Sequence, residues 1–245
     1  MGLHNKISRD QLEVGDHIYV WRKLYAYAHH GIYVGDNRVI HFTAGDGNEI
    51  SAIIPLAGVL GGSSSSSSSA GSGRRPCKTC GSSGSASSSQ VVRTCLDCFL
   101  RGHKLRRFEY SNRRSKFLLH RGGTCSTLQS DPSDEVVRRA FYLLRHGFMD
   151  YSLEGNNCED FARYCKTALV PKPDKLPTAS GQLLAKRAAV KGVKALIKGD
   201  GLHQAIENFK NDKFMCEDPD NFVRKEVEEL VAELPQTIKS TSAAI

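Results

Sequence analysis

The sequence predicts an α+β fold in which an antiparallel sheet packs on helices, and three observations predict it. Short β-type runs between residues 12 and 45 are separated by Gly35-Asp36-Asn37, a hairpin signal. Two later stretches carry apolar residues at the 3-and-4 spacing of amphipathic helices. Between the β-type runs and these helical stretches lies a segment of serine and glycine that cannot bury enough apolar surface to order itself. At 245 residues and 40% hydrophobic, the chain suffices for one generous domain with an inserted module and a tail.

The elements follow in order. Asp16 to Arg22 is a strand candidate opened by Val14-Gly15, and Gly31 to Val34 and Arg38 to Thr43 are the two arms of the hairpin. Residues 61–73 and 81–89 are almost wholly Gly and Ser, within a cysteine-containing insertion spanning 61–104. Leu105 to Tyr110 reads as a further strand. Asp131-Pro132-Ser133-Asp134 opens a helix with a capping acid and a first-turn proline; Val136, Val137, Ala140, Phe141, Leu143 and Leu144 form its stripe and Gly147 ends it. After a link through Tyr151 and Leu153, a second helix runs from about Cys158 to Val170, stopped by Pro171, with Phe161, Tyr164, Cys165, Ala168 and Leu169 inward. Residues 171–245 form a basic helical tail. In it, Leu183 to Lys198 mixes apolar residues with Lys186, Arg187, Lys191, Lys194 and Lys198, and Asn221 to Leu234 is an amphipathic helix. The basic helix suits two environments: an acidic membrane surface, or the domain itself with lysines in water.

Charge and targeting signals bound the function. A net charge of +8 fits anionic partners as well as a solubilising surface. No motif for reading DNA or RNA accompanies it, so nucleic acid is not expected as a partner. No stretch reaches the roughly 18 apolar residues of a membrane span; Ile50 to Leu60 is too short and holds Pro55. The start lacks a signal-peptide pattern, and Lys6 stands where myristoylation wants Ser or Thr. The expectation is a cytoplasmic, reducing setting in which the eight cysteines are thiols or metal ligands.

The hairpin register is open to a geometric test. For Ile32, Val34, Ile40 and Phe42 to share one face, Ile32 must pair with Ile40 across a three-residue loop. His29, Gly31 and Tyr33 then share the opposite face with Val39, His41 and Thr43. His41 faces Gly31 and lies diagonal to His29, within reach of it, while His30 falls on the other side. A lone strand histidine is ordinarily a satisfied or exposed residue; two on one face beside a glycine point toward chemistry.

Asn157 is a helix N-cap residue, so Cys158 occupies the first turn. There the helix dipole favours thiolate, a histidine can take the thiol proton, and amides of the turn are candidate oxyanion donors. Glu159 and Asp160 suit the positive helix end. Cys158 also precedes Phe161 by three residues and so extends the apolar stripe, which a buried inert cysteine would do equally. Cys165 belongs to the core.

Cys77-Lys78-Thr79-Cys80 and Cys95-Leu96-Asp97-Cys98 form two CxxC knuckles with fourteen residues between. Their spacing matches ligation of a structural zinc by four thiolates, with Arg74, Arg75, Lys78 and Arg93 offsetting the charge. A redox dithiol pair and unligated thiols are the competing readings. Four thiolates leave no open position for a catalytic metal.

The runs His29-His30-Gly31-Ile32-Tyr33-Val34-Gly35-Asp36 and Val39-Ile40-His41-Phe42, followed by Asn157-Cys158-Glu159-Asp160-Phe161, resemble the lecithin:retinol acyltransferase (LRAT) domain. Leu12-Glu13-Val14-Gly15-Asp16-His17-Ile18 resembles its first strand. The likeness covers residues 8 to about 170, omitting the serine-rich stretch, and is to the plant branch, whose members carry paired cysteines inside the domain. The resemblance implies a circularly permuted papain-like, NlpC-type fold with a Cys-His-His triad: Cys158 as nucleophile, His29 activating it, His41 orienting His29. It implies a thiol-dependent acyltransferase or acylhydrolase acting on phospholipid-like esters through a thioester. Two alternatives stand beside it: a catalytically silent membrane-peripheral or signalling adaptor, and an NlpC-type amide or peptide hydrolase. His30 replaces the usual Trp of animal members and Asp160 an often-found His. Animal phospholipid-acting members commonly end in a hydrophobic anchor, whereas residues 171–245 are polar and basic.

Overall fold

The computed structural model describes residues 5–22, 27–44, 76–82, 89–150, 156–176, 178–198 and 202–235. The serine-rich run 61–73, the Ile50 to Leu60 stretch, Arg74, Arg75, Tyr151 and Leu153 lie outside the described residues.

Strands β1 (His17–Arg22), β2 (Tyr27–Tyr33) and β3 (Arg38–Thr43) form an antiparallel meander. Ile32 pairs with Ile40, the register expected from the four core residues. Gly35, Asp36 and Asn37 all take positive φ, the geometry the turn needs. Strand β4 (Gln90–Cys95) pairs along β3, and the short β5 (Arg106–Arg107) along β1, so the sheet order is β4-β3-β2-β1-β5. The expected strand over Leu105 to Tyr110 is thus only two residues long. The second cysteine pair stands at the end of a sheet strand: Cys95 closes β4, and Cys98 lies in α1 (Leu96–Leu100).

Each sheet face is covered differently. Ile32, Ile40 and Phe42 pack on α3 (Ser133–His146) and α4 (Cys158–Thr167) through Val136, Ala140, Leu143, Phe161 and Cys165. Ile18, Val20 and Val39, on the other face, pack on Leu96, Phe99 and Leu100 of α1. In α3, Gly147 closes the helix at φ 85° as expected. Asp131 does not cap it; its carboxylate pairs with Arg139 at 2.7 Å and Arg224 at 2.9 Å.

The tail differs most from the sequence reading. Helix α4 ends at Thr167, Ala168 turns left-handed at φ 54°, and Leu169–Pro171 becomes strand β6. The residues read as the start of a helix at Asn221 instead give strand β7 (Phe222–Arg224), which pairs with β6, and only Val227–Ala232 is helical (α7). Between them, α5 (Gly181–Lys198) matches the basic amphipathic pattern, and α6 (Leu202–Phe214) packs along it. Near the domain, α2 (Arg114–Leu119) ends under Lys213 of α6, whose Nζ donates to the Phe117, Leu118 and His120 carbonyls. Among the described residues no helix is long and apolar enough to cross a membrane.

One buried ion pair joins tail to domain. Arg163 Nη1 of α4 lies 3.0 Å from Glu217 Oε1, with both side chains under 4% exposed. Glu217 Oε2 also accepts from the Ser126 hydroxyl and the Thr127 amide, each at 2.6 Å. Removing one partner leaves the other charge buried and unpaired, which costs about 3–5 kcal/mol. Glu217→Ala is therefore expected to destabilise the protein by that amount, read as a lowered urea midpoint. A change under about 1 kcal/mol would show the pair to be dispensable.

Candidate active site

His29 and His41 meet as the register requires. His29 Nε2 is 3.0 Å from His41 Nδ1, and His41 Nε2 is 3.1 Å from the Thr94 hydroxyl of β4. The chain Thr94–His41–His29 thus uses one nitrogen of His29 and leaves Nδ1. Gly31 makes the approach feasible: a Cβ there would lie 2.7 Å from Val39 Cγ1, 3.0 Å from the Phe99 ring and 3.1 Å from His41 Cβ. Phe99 covers the pair, its ring centroid 5.4 Å from each imidazole. Burial first, and then His41 beside it, hold His29 well below the ordinary histidine range; burial lowers His41 to about 3. Both rings are neutral at physiological pH. His30 lies on the other face, where its Nδ1 meets His17 Nε2 at 2.9 Å and His17 Nδ1 meets the Tyr110 hydroxyl at 2.9 Å.

Cys158 begins α4, as Asn157 predicts. The Asn157 side chain accepts from the Glu159 and Asp160 amides at 2.8 and 3.3 Å, and Asp160 returns a bond to the Asn157 amide. Those two amides are consequently taken and do not face a substrate oxyanion, contrary to expectation. Cys158 is 2% exposed, and its Sγ donates to the Ala28 carbonyl at 3.8 Å. Ala28 adjoins His29, and one strand residue spans about 3.3 Å. His29 leans toward β3 to reach His41, and the thiol touches the same β3-facing edge of β2.

That edge is open to β3 and closed by the tail. The β2–β3 register would bring Ala44 opposite Ala28, yet the pairs formed are Ile32–Ile40 and Tyr33–Val39. The Gln182 side chain takes the missing place: its Oε1 accepts from the Ala28 amide at 3.0 Å and its Nε2 donates to the Ala28 carbonyl at 3.1 Å. Gln182 and Cys158 therefore share one acceptor. Glu159 and Asp160 secure this arrangement. Glu159 accepts from the Ser180 hydroxyl and the Gly181 and Gln182 amides at 2.7, 2.9 and 3.2 Å, capping α5. Asp160 accepts from Thr178 and from the Ala179 amide. Burial raises both carboxyls, Asp160 to about 7, against the pull of these donors. Gln182, Thr94 and Phe99 went unidentified in the sequence, since no local spacing marks them.

The four knuckle cysteines converge. Their sulfurs all lie within 4.8 Å of one another, Cys77–Cys95 at 3.8 Å and Cys80–Cys98 at 3.6 Å. Four thiolates about 2.3 Å from a tetrahedral ion stand about 3.8 Å apart, so the donor set fits such an ion. Arg38 of β3 donates to the Thr79 carbonyl, tying the first knuckle to the sheet. The Thr79 and Cys80 amides lower the Cys77 thiol to about 6, whereas burial and the neighbouring thiols push Cys98 up. Thr94 directly precedes Cys95, and Phe99 directly follows Cys98, so the cluster is bonded on both sides to residues that hold the histidines.

Gln182→Ala should uncover the sulfur without touching the histidines. Alkylation of Cys158 by iodoacetamide, followed by peptide mass spectrometry, is expected to rise about tenfold over the unaltered chain. An unchanged rate would mean the tail does not shield the thiol.

A family model described as lecithin retinol acyltransferase matches residues 10–170. The Arabidopsis thaliana protein LEAD-SENSITIVE 1 is 47% identical over 186 residues, covering 75% of this chain and 68% of that relative. The matched span takes in the histidine pair, the paired cysteines and the cysteine-bearing helix, and with it the chain belongs to the LRAT family.

Proposed function

We propose that the chain is a thiol-dependent acyltransferase or acylhydrolase for lipid esters, with the acyl group carried as a thioester on Cys158. The observation that supports this reading is that the helix-start thiol bonds to the Ala28 carbonyl, next in the chain to His29, whose neutral ring is paired with His41. His29 takes the thiol proton at Nδ1, and His41 and Thr94 fix its ring. The thiolate attacks the ester carbonyl to give a tetrahedral oxyanion, for which Gln182 Nε2, sharing the Ala28 carbonyl with the thiol, is a side-chain donor once it leaves that carbonyl. Collapse breaks the ester C–O bond, and the alkoxide leaves with the proton from His29. An alcohol, amine or water then gives its proton to His29 and attacks the thioester, regenerating the thiol.

Membrane contact belongs to the same proposal. Along α5, Val190, Val193 and Ile197 are exposed at helical spacing beside Lys191 and Lys194. Such a face suits an acidic lipid surface.

The knuckle cluster is read as a structural zinc site. Bound zinc would supply the charge that lets four close sulfurs ionise together, fixing β4 and α1 and so Thr94 and Phe99 against the histidines. A second reading, an adaptor with a silent triad, draws on the near-complete burial of Cys158.

Three measurements test these assignments. Labelling of Cys158 by a long-chain acyl probe is expected to fall roughly 10²–10⁴-fold in His29→Ala; labelling that persists would end the enzyme reading. A histidine held below its ordinary value stays a base as pH falls through 6.5, at the expense of folded stability from there down. Labelling should therefore hold between pH 7.5 and 6, and a half-maximal loss near 6.5 would show an ordinary His29. Native mass spectrometry should find one zinc per chain; its removal by a chelator should lower Cys158 labelling about tenfold. Unchanged labelling in the metal-free protein would separate the cluster from the histidines.

A further inference from the structure

A cavity of about 430 Å³ opens where the tail meets the domain, and Gln182 is among the residues that line it. Trp21 of β1, the loop 118–122 after α2, Ala185 and Ala189 of α5 and Phe209 of α6 enclose it. The loop and α5 fit closely because residue 122 is glycine: a Cβ there would lie 2.6 Å from the Ala185 Cβ.

The charged side chains among its described lining residues are cationic. Arg121 stacks over the Trp21 ring at 4.2 Å, and exposed Lys186 faces it from α5. Burial first, and then the Arg121 charge, lower the Lys186 ammonium, while burial alone lowers Arg121. The acid that acts on Lys186, Glu159, is engaged with the α5 N-terminus. Lys213, the third cation of the lining, is spent on the carbonyls that end α2. His120, 7% exposed, also lines the cavity, and its Nδ1 is buried without a hydrogen-bond partner among the described residues. Apolar walls, two opposed cations and an orphaned ring nitrogen are complementary to a molecule with an alkyl chain and an anionic head.

We infer that this cavity binds an amphiphile with an anionic head, its carboxylate or phosphate between Arg121 and Lys186 and its chain along Trp21, Ala189 and Phe209. The inference rests on the thiol chemistry only for its purpose: Gln182 lines the cavity and also bonds Ala28, the residue whose carbonyl Cys158 shares. An anionic head, in preference to a zwitterionic one, is what these residues select.

Trp21 is the only tryptophan of the chain and reports directly on occupancy. Its emission is followed in the full chain carrying Cys158→Ser, titrated with oleate, oleoyl lysophosphatidate, oleoyl lysophosphatidylcholine and inorganic phosphate. Both anionic amphiphiles are expected to bind at least about tenfold more tightly than the zwitterion, and the tighter of the two identifies the head group. The Arg121→Gln, Lys186→Gln double variant, altered at exposed positions, should bring the three lipids within about twofold. Ala189→Phe should weaken all three. Equal binding of anionic and zwitterionic lipids, a silent Trp21, or a response to phosphate matching that to lysophosphatidate would overturn the inference. Acylation of Cys158 in the unaltered chain with Trp21 silent removes this site and keeps the thiol chemistry. A Trp21 response in a chain never acylated does the reverse.

Discussion

The arrangement depends on one buried carboxylate. Glu159 follows Cys158 in the chain and receives the Ser180 hydroxyl and two amides of the α5 N-terminus. A carboxylate shut away from water is costly unless donors surround it, and here the donors all come from the tail. The helix that carries the thiol and the helix that carries Gln182 therefore cannot shift independently. Because Gln182 is placed by its own amide on Glu159, its side chain meets the Ala28 edge, and the sulfur is closed in by the same bond set.

The histidines are held from the opposite side of the sheet. Thr94 and Phe99, both next to knuckle cysteines, touch the imidazoles, and Arg38 fastens the first knuckle to β3. Two independent clamps, tail on thiol and cysteine cluster on histidines, converge on one strand edge. Burial keeps both rings neutral, which suits a base awaiting a proton and not a preformed ion pair. In this resting geometry the thiol points to the Ala28 carbonyl and out of water.

What the sequence revealed divides along physical lines. The Ile32–Ile40 register was legible because strand side chains alternate with period two, and only one pairing puts four apolar residues on a face. Asn157 marked the helix start because capping is a contact between near neighbours. Gln182 and Glu159 were not legible as partners of Ala28 and the tail, since those bonds join residues 154 and 22 positions apart with no local signature. Leu96–Leu100 and Arg114–Leu119 are too short for a helical period to emerge. The Asn221 region shows tertiary structure overriding a helical pattern: pairing with β6 satisfies the backbone of Phe222–Arg224 as strand, and the helix starts only beyond it.

A thiol closed in by the tail reacts only if that cover opens, and the geometry narrows where that happens. Gln182 makes two bonds to Ala28, each of the net strength of an ordinary neutral hydrogen bond, about 1 kcal/mol. Glu159, in contrast, is anchored by three donors in the interior. Opening at Gln182 alone frees the Ala28 edge at small cost while the α5 N-terminus stays in place, whereas release of the whole tail would strand Glu159 and break the Arg163–Glu217 pair. The small motion is thus the accessible one. Gln182 also lines the cavity between tail and domain, so a molecule bound there touches the side chain whose release opens the edge.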